Sequence, residues 1–134
     1  MSQISKKITT EEIILIHNLI VAAIGGSLGV REPNLLESIS QKPFGHYFDK
    51  ELYPGVFLKA AVIFESLANY HVFVDGNKRT AIATLEYFLN KHGYILQADK
   101  EHKEQFILNT AQAKNPELAE IATWIKQHAD KEKE

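Results

Sequence analysis

The sequence predicts an all-α fold in a single domain, and three observations support this prediction. Apolar residues recur at the spacing of one helical face through most of the chain. Capping residues and prolines mark helix starts, and glycines mark helix ends. The length of 134 residues and the hydrophobic share of 45% suit one modest core. We expect this core to span about residues 8–127, with frayed ends at residues 1–7 and 129–134.

A capping box opens the first predicted helix, with Thr9 as N-cap and Glu12 three residues later. Four isoleucines at helical spacing mark its apolar face: Ile13, Ile16, Ile20 and Ile24. The helix ends at Gly25-Gly26, because glycine adopts the left-handed backbone that closes a helix. After a loop, Pro33 suits the first turn of a short second helix through Ile39.

The middle of the chain holds the longest irregular stretch and the most apolar helix. Lys42 to Pro54 is rich in glycine, proline and aromatic residues, and no regular element is predicted there. Gly55 to Tyr70 is apolar on almost every side, so we expect this helix at the centre of the fold. After a loop, the next helix carries an apolar stripe and closes at His92-Gly93. The stripe consists of Ala81, Ile82, Leu85, Phe88 and Leu89.

Two further helices complete the predicted fold. Tyr94 to Gln97 is compatible with a short strand, and a helix runs from Asp99 through Ala113. Asn115-Pro116-Glu117 supplies a cap, a proline and an acid at the start of the last helix. Its apolar face consists of Leu118, Ile121, Ala122 and Ile125. The charged segment Lys131 to Glu134 is predicted to fray.

Charge and composition exclude several classes of function. The formal charge of -2 disfavours direct nucleic-acid binding, which depends on a basic face. The absence of cysteine excludes disulfides, thiolate catalysis and cysteine-based zinc sites. Neither a signal peptide nor a stretch long enough to span a bilayer is found, so we expect a cytoplasmic protein without a membrane partner.

The segment between the two strongest helices, His71 to Arg79, concentrates the chemistry of the chain. Gly76 and Asn77 tolerate the backbone angles of a turn whose N–H groups bind anions. The helix that follows adds unpaired N–H groups and a positive dipole end. Lys78 and Arg79 add full positive charges. The segment therefore predicts a phosphate-binding site.

Three other side chains of this segment suggest group transfer. Asp75 carries the loop's one carboxylate, a ligand type that Mg²⁺ prefers. Histidine is the residue type most often used as a general base near neutral pH, so His71 is the candidate to accept a proton from an attacking hydroxyl. Phe73 is expected to enter the core and fix the loop. Each residue taken singly is commonly structural or solvated, so the residues alone indicate phosphate binding more firmly than transfer.

The segment resembles the signature of the Fic/Doc family. That signature reads His, any residue, Phe, any residue, an acid, Gly or Ala, Asn, Gly or Lys, Arg, and every position is filled by the residues from His71 to Arg79. Similar stretches extend the resemblance over most of residues 8–127: Gly25 to Arg31, Leu35 to Ser38, Leu52 to Pro54 and Lys59 to Ala61. The resemblance implies a compact helical Fic fold with the active-site loop between two central helices.

The resemblance also implies roles for the loop residues, with ATP and Mg²⁺ bound there. His71 would be the base, Asp75 the Mg²⁺ ligand, and Gly76 and Asn77 would hold phosphate, with Lys78 and Arg79 neutralising its charge. Most Fic proteins carry glycine at the position of Lys78 and transfer AMP. With a lysine at this position, the chain resembles the Doc branch of the family. Doc-type proteins transfer the γ-phosphate of ATP to a threonine of elongation factor Tu, which arrests translation.

The remaining expectations concern partners and alternatives. Five residues would form a flap that docks the target: Phe44, Gly45, His46, Tyr47 and Phe48. The Glu-containing inhibitory segment of many Fic proteins is not found, which implies a separate Phd-like antitoxin. Doc proteins carry a basic residue just before the signature histidine, where this chain has Asn69-Tyr70, and Arg31 is a candidate substitute. AMP transfer, and a catalytically idle module that binds the antitoxin, stay as alternatives.

Overall fold

The computed structural model describes residues 6–112 and 117–132. Within these ranges the chain forms six α-helices and two small antiparallel sheets. The helices are α1 (Thr10–Ile24), α2 (Pro33–Gln41), α3 (Val56–Asn69), α4 (Asn77–Lys91), α5 (Lys100–Gln112) and α6 (Leu118–His128). The predicted helical class is therefore confirmed. No helix in the described part of the chain is long and apolar enough to cross a membrane.

The capping box predicted for α1 is present. The Thr9 hydroxyl accepts the N–H of Glu12 at 3.1 Å, and the Glu12 carboxylate accepts the N–H of Thr9 at 3.0 Å. The same carboxylate joins α1 to α4, since it pairs with the Lys91 ammonium at 2.6 Å and accepts the Tyr87 hydroxyl. Burial of this carboxyl opposes ionisation, but its bonds to Lys91, Tyr87 and Thr9 hold the pKa of Glu12 below its ordinary range.

Glu12→Gln is expected to lower the free energy of unfolding by about 1 kcal/mol at pH 7, because the pairing with Lys91 is lost while the cap survives. A depressed folded pKa gives stabilisation that is present above the unfolded value of about 4.3 and is lost as the pH falls through the folded value. The deficit should therefore shrink below about pH 4 in urea melts at several pH values. Glu11→Gln, which removes an exposed charge from the same turn, is the control. A deficit independent of pH would contradict this account.

The central helix is α3, as its all-round apolar sequence predicts. Its middle residues Ala60 to Phe64 are completely buried, and it packs chiefly against α4 and α6. The stripe of α4 faces it, with Ala81, Leu85 and Phe88 fully buried. Buried residues of the other helices complete this core, and Val72 and Phe73 of the segment that connects α3 to α4 also belong to it.

The described residues also form two short antiparallel sheets. Strand β1 (His46–Tyr47) pairs with β2 (Lys50–Glu51), within the stretch predicted to be irregular. Strand β3 (Tyr94–Leu96), predicted from the sequence, pairs with β4 (Ala129–Lys131).

Three expectations about the chain ends and the last helix are corrected or lie outside the described residues. The frayed C-terminal end is wrong for Ala129–Lys131, because the edge of β3 supplies backbone partners there. At the N-terminal end, the carbonyls of Lys6 and Lys7 are held by His92 at 3.0 Å and Lys91 at 2.9 Å, so fraying is wrong for these two residues. The helix end at Ala113 and the cap at Asn115-Pro116 lie outside the described residues.

Candidate active site

The candidate base stands at the point where α3 ends. Tyr70 caps the helix, and its N–H donates to the Ser66 carbonyl at 3.0 Å. The next residue, His71, has a φ of 50°, in the left-handed region that commonly closes a helix. Histidine is among the non-glycine residues enriched there. The imidazole is thereby turned out of the helix and is exposed to solvent.

The backbone after His71 is held against the segment that connects α1 to α2. Phe73 and Val30 form an isolated antiparallel bridge. The Arg31 N–H donates to the Val72 carbonyl at 2.7 Å, and the Val74 N–H donates to the Gly29 carbonyl at 3.0 Å. Gly29 has a φ of 126°, and a Cβ there would lie 3.1 Å from the Val74 side chain. The close approach of these two segments therefore requires glycine at this position.

Phe73 fixes the loop from below. Its side chain is 1% exposed, and its ring stacks on that of His17, with centroids 3.9 Å apart and planes 4° apart. Asn77 closes the loop from the other side, because its amide accepts the Phe73 N–H and donates to the Phe73 carbonyl, both at 3.0 Å. The Asn77 side-chain amide is thus engaged within the loop, and its backbone N–H, in the uncapped first turn of α4, stays available to an anion.

The Asp75 carboxylate is held by backbone N–H groups. One oxygen accepts the N–H of Gly76 at 2.8 Å, and the other accepts the N–H of Ser27 at 3.2 Å. Gly26 lies beside it, and a Cβ on Gly26 would come within 2.9 Å of the carboxylate. The loop between α1 and α2 therefore fixes the orientation of Asp75 while the side chain stays exposed.

The N-terminus of α4 is open and positively charged. Gly76 is its N-cap, with a φ of 75°, and no side chain caps the helix. The first turn contains Lys78 and Arg79 and no acidic residue. Cations at the positive end of a helix cost about 0.3–1 kcal/mol each at an exposed site. This arrangement is unfavourable in the free protein and favours the binding of an anion.

These groups meet in one cleft of about 440 Å³. Its walls are formed by Ala68, His71, Val74, Asp75, Gly76, Asn77, Lys78 and Arg79. Six of the seven loop residues predicted from the sequence thus line a single space, and Phe73 lies beneath it. Within the described residues no cluster of three or more acidic or histidine side chains is positioned to hold a metal ion by itself.

Comparison with known proteins identifies the family. A family model described as the Fic/DOC family matches residues 7–89, more than half of the chain. The chain belongs to the Fic/DOC family. A protein named Toxin Doc, from Mycolicibacterium smegmatis, is 37% identical over 101 residues, which cover 75% of this chain and 78% of that protein. Protein kinase doc, from Escherichia phage P1, is 30% identical over 88 residues, covering 66% of this chain and 69% of that protein.

The stretch expected to form the target-docking flap of the Fic fold is divided between two environments. Phe44 ends a 3₁₀ turn (Lys42–Phe44) and packs on Phe88 of the core. The hairpin β1–β2 projects beyond it, and Phe48 at its turn has a φ of 55° and is 85% exposed. The exposed part therefore extends to Glu51 and does not include Phe44.

Lys59 of α3 anchors the base of this hairpin. Its ammonium group donates to the Glu51 carboxylate at 2.8 Å and to the Tyr53 carbonyl at 2.5 Å. The hydrogen bond from Lys59 lowers the pKa of Glu51. The hairpin is thus fixed to the central helix at one end, while its aromatic tip stays in solvent.

Three residues beside the active-site loop have roles that the sequence did not reveal: His17, Gly26 and Ser27. His17 lies beneath the loop and is completely buried. Its position four residues after the buried Ile13 was the available signal. Arg31, the candidate replacement for a basic residue before His71, contributes its backbone to the loop, and its side chain is not among the residues that line the cleft in the described part of the chain.

Proposed function

We propose that this chain is a toxin kinase that transfers the γ-phosphate of ATP to a hydroxyl of a target protein. The observation that carries the proposal is the shared cleft, in which the His71 imidazole and the Asp75 carboxylate face the open, basic N-terminus of α4. Such a set provides a base, a metal ligand and an anion site, which are the parts that phosphoryl transfer needs.

In this reaction the base and the cations of the cleft have separate tasks. His71 accepts the proton of the attacking hydroxyl as the bond between its oxygen and the γ-phosphorus forms. The bond to the bridging oxygen of ATP breaks, and ADP leaves with that oxygen. Arg79 and the first N–H groups of α4 stabilise the negative charge on the transferred phosphoryl group.

Asp75 fits the requirements of a Mg²⁺ ligand. Its carboxylate is a hard oxygen donor on the wall of the cleft, and it is the one acid among the residues that form that wall. Mg²⁺ is typically bound by one or two carboxylates together with substrate phosphates, so a single acid in the described cleft suffices. A bound Mg²⁺ would neutralise phosphate charge, and the hydrogen bonds to Asp75 would keep its carboxylate directed for that purpose.

Lys78 favours transfer of the terminal phosphate over transfer of AMP. Its side chain lines the cleft beside Gly76, where glycine would leave the backbone open to the inner phosphates. Lysine fills that space and offers a point charge suited to a phosphate with the most negative charge. The acceptor hydroxyl near His71 would then face the γ-phosphorus.

The biological setting proposed here draws on the relatives and the family resemblance. The names Toxin Doc and Protein kinase doc support a kinase that acts as a toxin. We propose a threonine of elongation factor Tu as the target, with arrest of translation in the cytoplasm as the result. A Phd-like antitoxin would neutralise the protein by folding a segment onto its surface.

Labelled ATP tests this proposal. With purified elongation factor Tu as acceptor, the native chain is expected to transfer label from γ-labelled ATP and none from α-labelled ATP, and to release ADP. Lys78→Gly should reduce γ-transfer, because the charge that positions the terminal phosphate is removed. Autoradiography and mass spectrometry of the acceptor measure both results.

The controls separate the rival functions. Lys78→Arg keeps a cation at the site, so it should retain more activity than Lys78→Gly. Transfer of α-label by the native chain would replace the kinase with an AMP transferase. Transfer of neither label, in the presence of a folded protein, would leave an idle binding module.

A further inference from the structure

His17 of α1 is a completely buried histidine directly beneath the active-site loop. Its exposed fraction is 0%, and its ring lies parallel to that of Phe73 at 3.9 Å. Its Nε2 atom lies 2.7 Å from the backbone carbonyl oxygen of Asp75. The residue therefore touches both the anchor of the loop and the peptide of the proposed metal ligand, across 58 positions of sequence.

The chemistry of this contact fixes its direction. A carbonyl oxygen can only accept, so Nε2 carries the hydrogen and donates it. The distance is short for an N–H to oxygen bond, and the stack on Phe73 holds the plane of the ring. His17 thus holds the Asp75 peptide in one orientation.

The carboxylate of Asp75 depends on the orientation of that peptide. Its two oxygens accept the N–H groups of Gly76 and Ser27, and the carboxylate occupies space that a Cβ on Gly26 would close, since that Cβ would lie 2.9 Å from it. A rotation of the Asp75 peptide would move the carboxylate away from at least one of these donors. A hydrogen bond that restrains the Asp75 carbonyl therefore also restrains the Asp75 carboxylate.

We propose that His17 is a positioning residue, which holds Asp75 in the orientation that binds Mg²⁺ with the phosphates of ATP. This inference rests on the proposed function, since it assigns Asp75 to the metal. Phenylalanine would fill the same stack without the donor, and glutamine would offer an N–H near the position of Nε2 without the ring. Histidine combines both, which explains a fully buried imidazole in an otherwise apolar stripe of α1.

The two substitutions separate the donor from the ring. In His17→Phe, the affinity for Mn²⁺ in the presence of ATP should fall about tenfold or more, as is usual when a partner of a metal ligand is lost. Its melting temperature should fall less than that of His17→Gln, because the stack survives although the hydrogen bond to the Asp75 carbonyl is lost. In His17→Gln, the Mn²⁺ affinity should stay near the native value while the melting temperature falls. Electron paramagnetic resonance of Mn²⁺ and thermal melts measure the two quantities.

A purely structural role would make affinity and melting temperature change together in both variants, and that result would overturn the inference. Native Mn²⁺ affinity in His17→Phe would overturn it as well. If His17→Phe does not fold, His17→Gln decides, since the inference requires it to keep its Mn²⁺ affinity. A native chain that binds no Mn²⁺ in the presence of ATP would exclude Asp75 from metal binding and the inference with it.

A readout without ligand separates this inference from the proposed kinase. The amide resonances of Ser27 and Gly76 report their bonds to the Asp75 carboxylate. They should shift in His17→Phe and stay near native positions in His17→Gln, and unchanged resonances in His17→Phe would overturn the inference. If the native chain transfers no γ-label but its Mn²⁺ binding still depends on His17, the proposed kinase activity is excluded. The positioning role of His17 then still holds.

Discussion

His71→Asn is expected to reduce transfer of the γ-phosphate by about 10²–10⁴-fold, the usual contribution of a general base. Its effect on folding should be small. His71 has a φ of 50°, and asparagine is one of the residues that adopt this conformation readily. The side chain is exposed, so no packing is lost. Initial rates with γ-labelled ATP and thermal melts of the two proteins measure the effects.

The structure makes alanine a poorer probe of the same position. His71→Ala places a residue with little preference for positive φ where the chain leaves α3, at a cost of about 1 kcal/mol. Loss of activity in that variant would combine a missing base with a displaced loop. His71→Asn and His71→Gly both avoid the strain, and the two should agree. Full transfer, or full arrest of growth on expression, by well-folded His71→Asn would remove His71 from the role of base.

The helices were predictable because the information that specifies them is local. Thr9 and Glu12 form a capping box within four residues, and the apolar surround of α3 marks it as central without knowledge of its neighbours. The signature loop was equally visible, since its residues are consecutive. The family to which it points is confirmed by the match over residues 7–89.

The elements that sequence reasoning missed depend on contacts between distant parts of the chain. Strand β4 exists because β3, more than thirty positions earlier, offers it an edge, and a short charged segment gives no sign of this. The hairpin β1–β2 has two residues per strand, too few for an alternating pattern. Its fixed position comes from Lys59, whose aliphatic neighbours suggested a purely apolar helix face.

The candidate site shows the same division between chemistry and geometry. Residue types alone identified a base, a carboxylate and an anion site. They did not show that Ser27 holds the carboxylate or that His17 holds the peptide behind it, because both come from the segment around α1. The family resemblance assigns Asn77 to phosphate, and in the structure its side-chain amide bonds to the backbone of Phe73.

Mg²⁺ is expected to increase the ATP affinity of the native chain, and Asp75→Asn should reduce this increase by at least about tenfold. Loss of a residue that only supports a metal ligand already lowers metal affinity by about that factor, so loss of the ligand itself should cost at least as much. The native chain should bind ATP more tightly with Mg²⁺ than without it, and the variant should show little difference. ATP affinity without Mg²⁺ should stay the same or rise, since a negative charge beside the phosphates is removed. Calorimetric titrations with ATP, with and without Mg²⁺, measure both affinities.

The structure also predicts what this substitution does to the loop itself. The carboxylate accepts two N–H groups, from Gly76 and Ser27, and the amide of asparagine has one oxygen with which to accept them. One bond is therefore lost, with a fall in the free energy of unfolding of about 1 kcal/mol. Asp130→Asn removes the same charge from an exposed position on β4, outside the cleft, and should alter neither property. If Mg²⁺ increases the ATP affinity of Asp75→Asn as much as that of the native chain, this carboxylate is excluded from the metal site. If Asp130→Asn also loses the increase, net charge alone accounts for the effect.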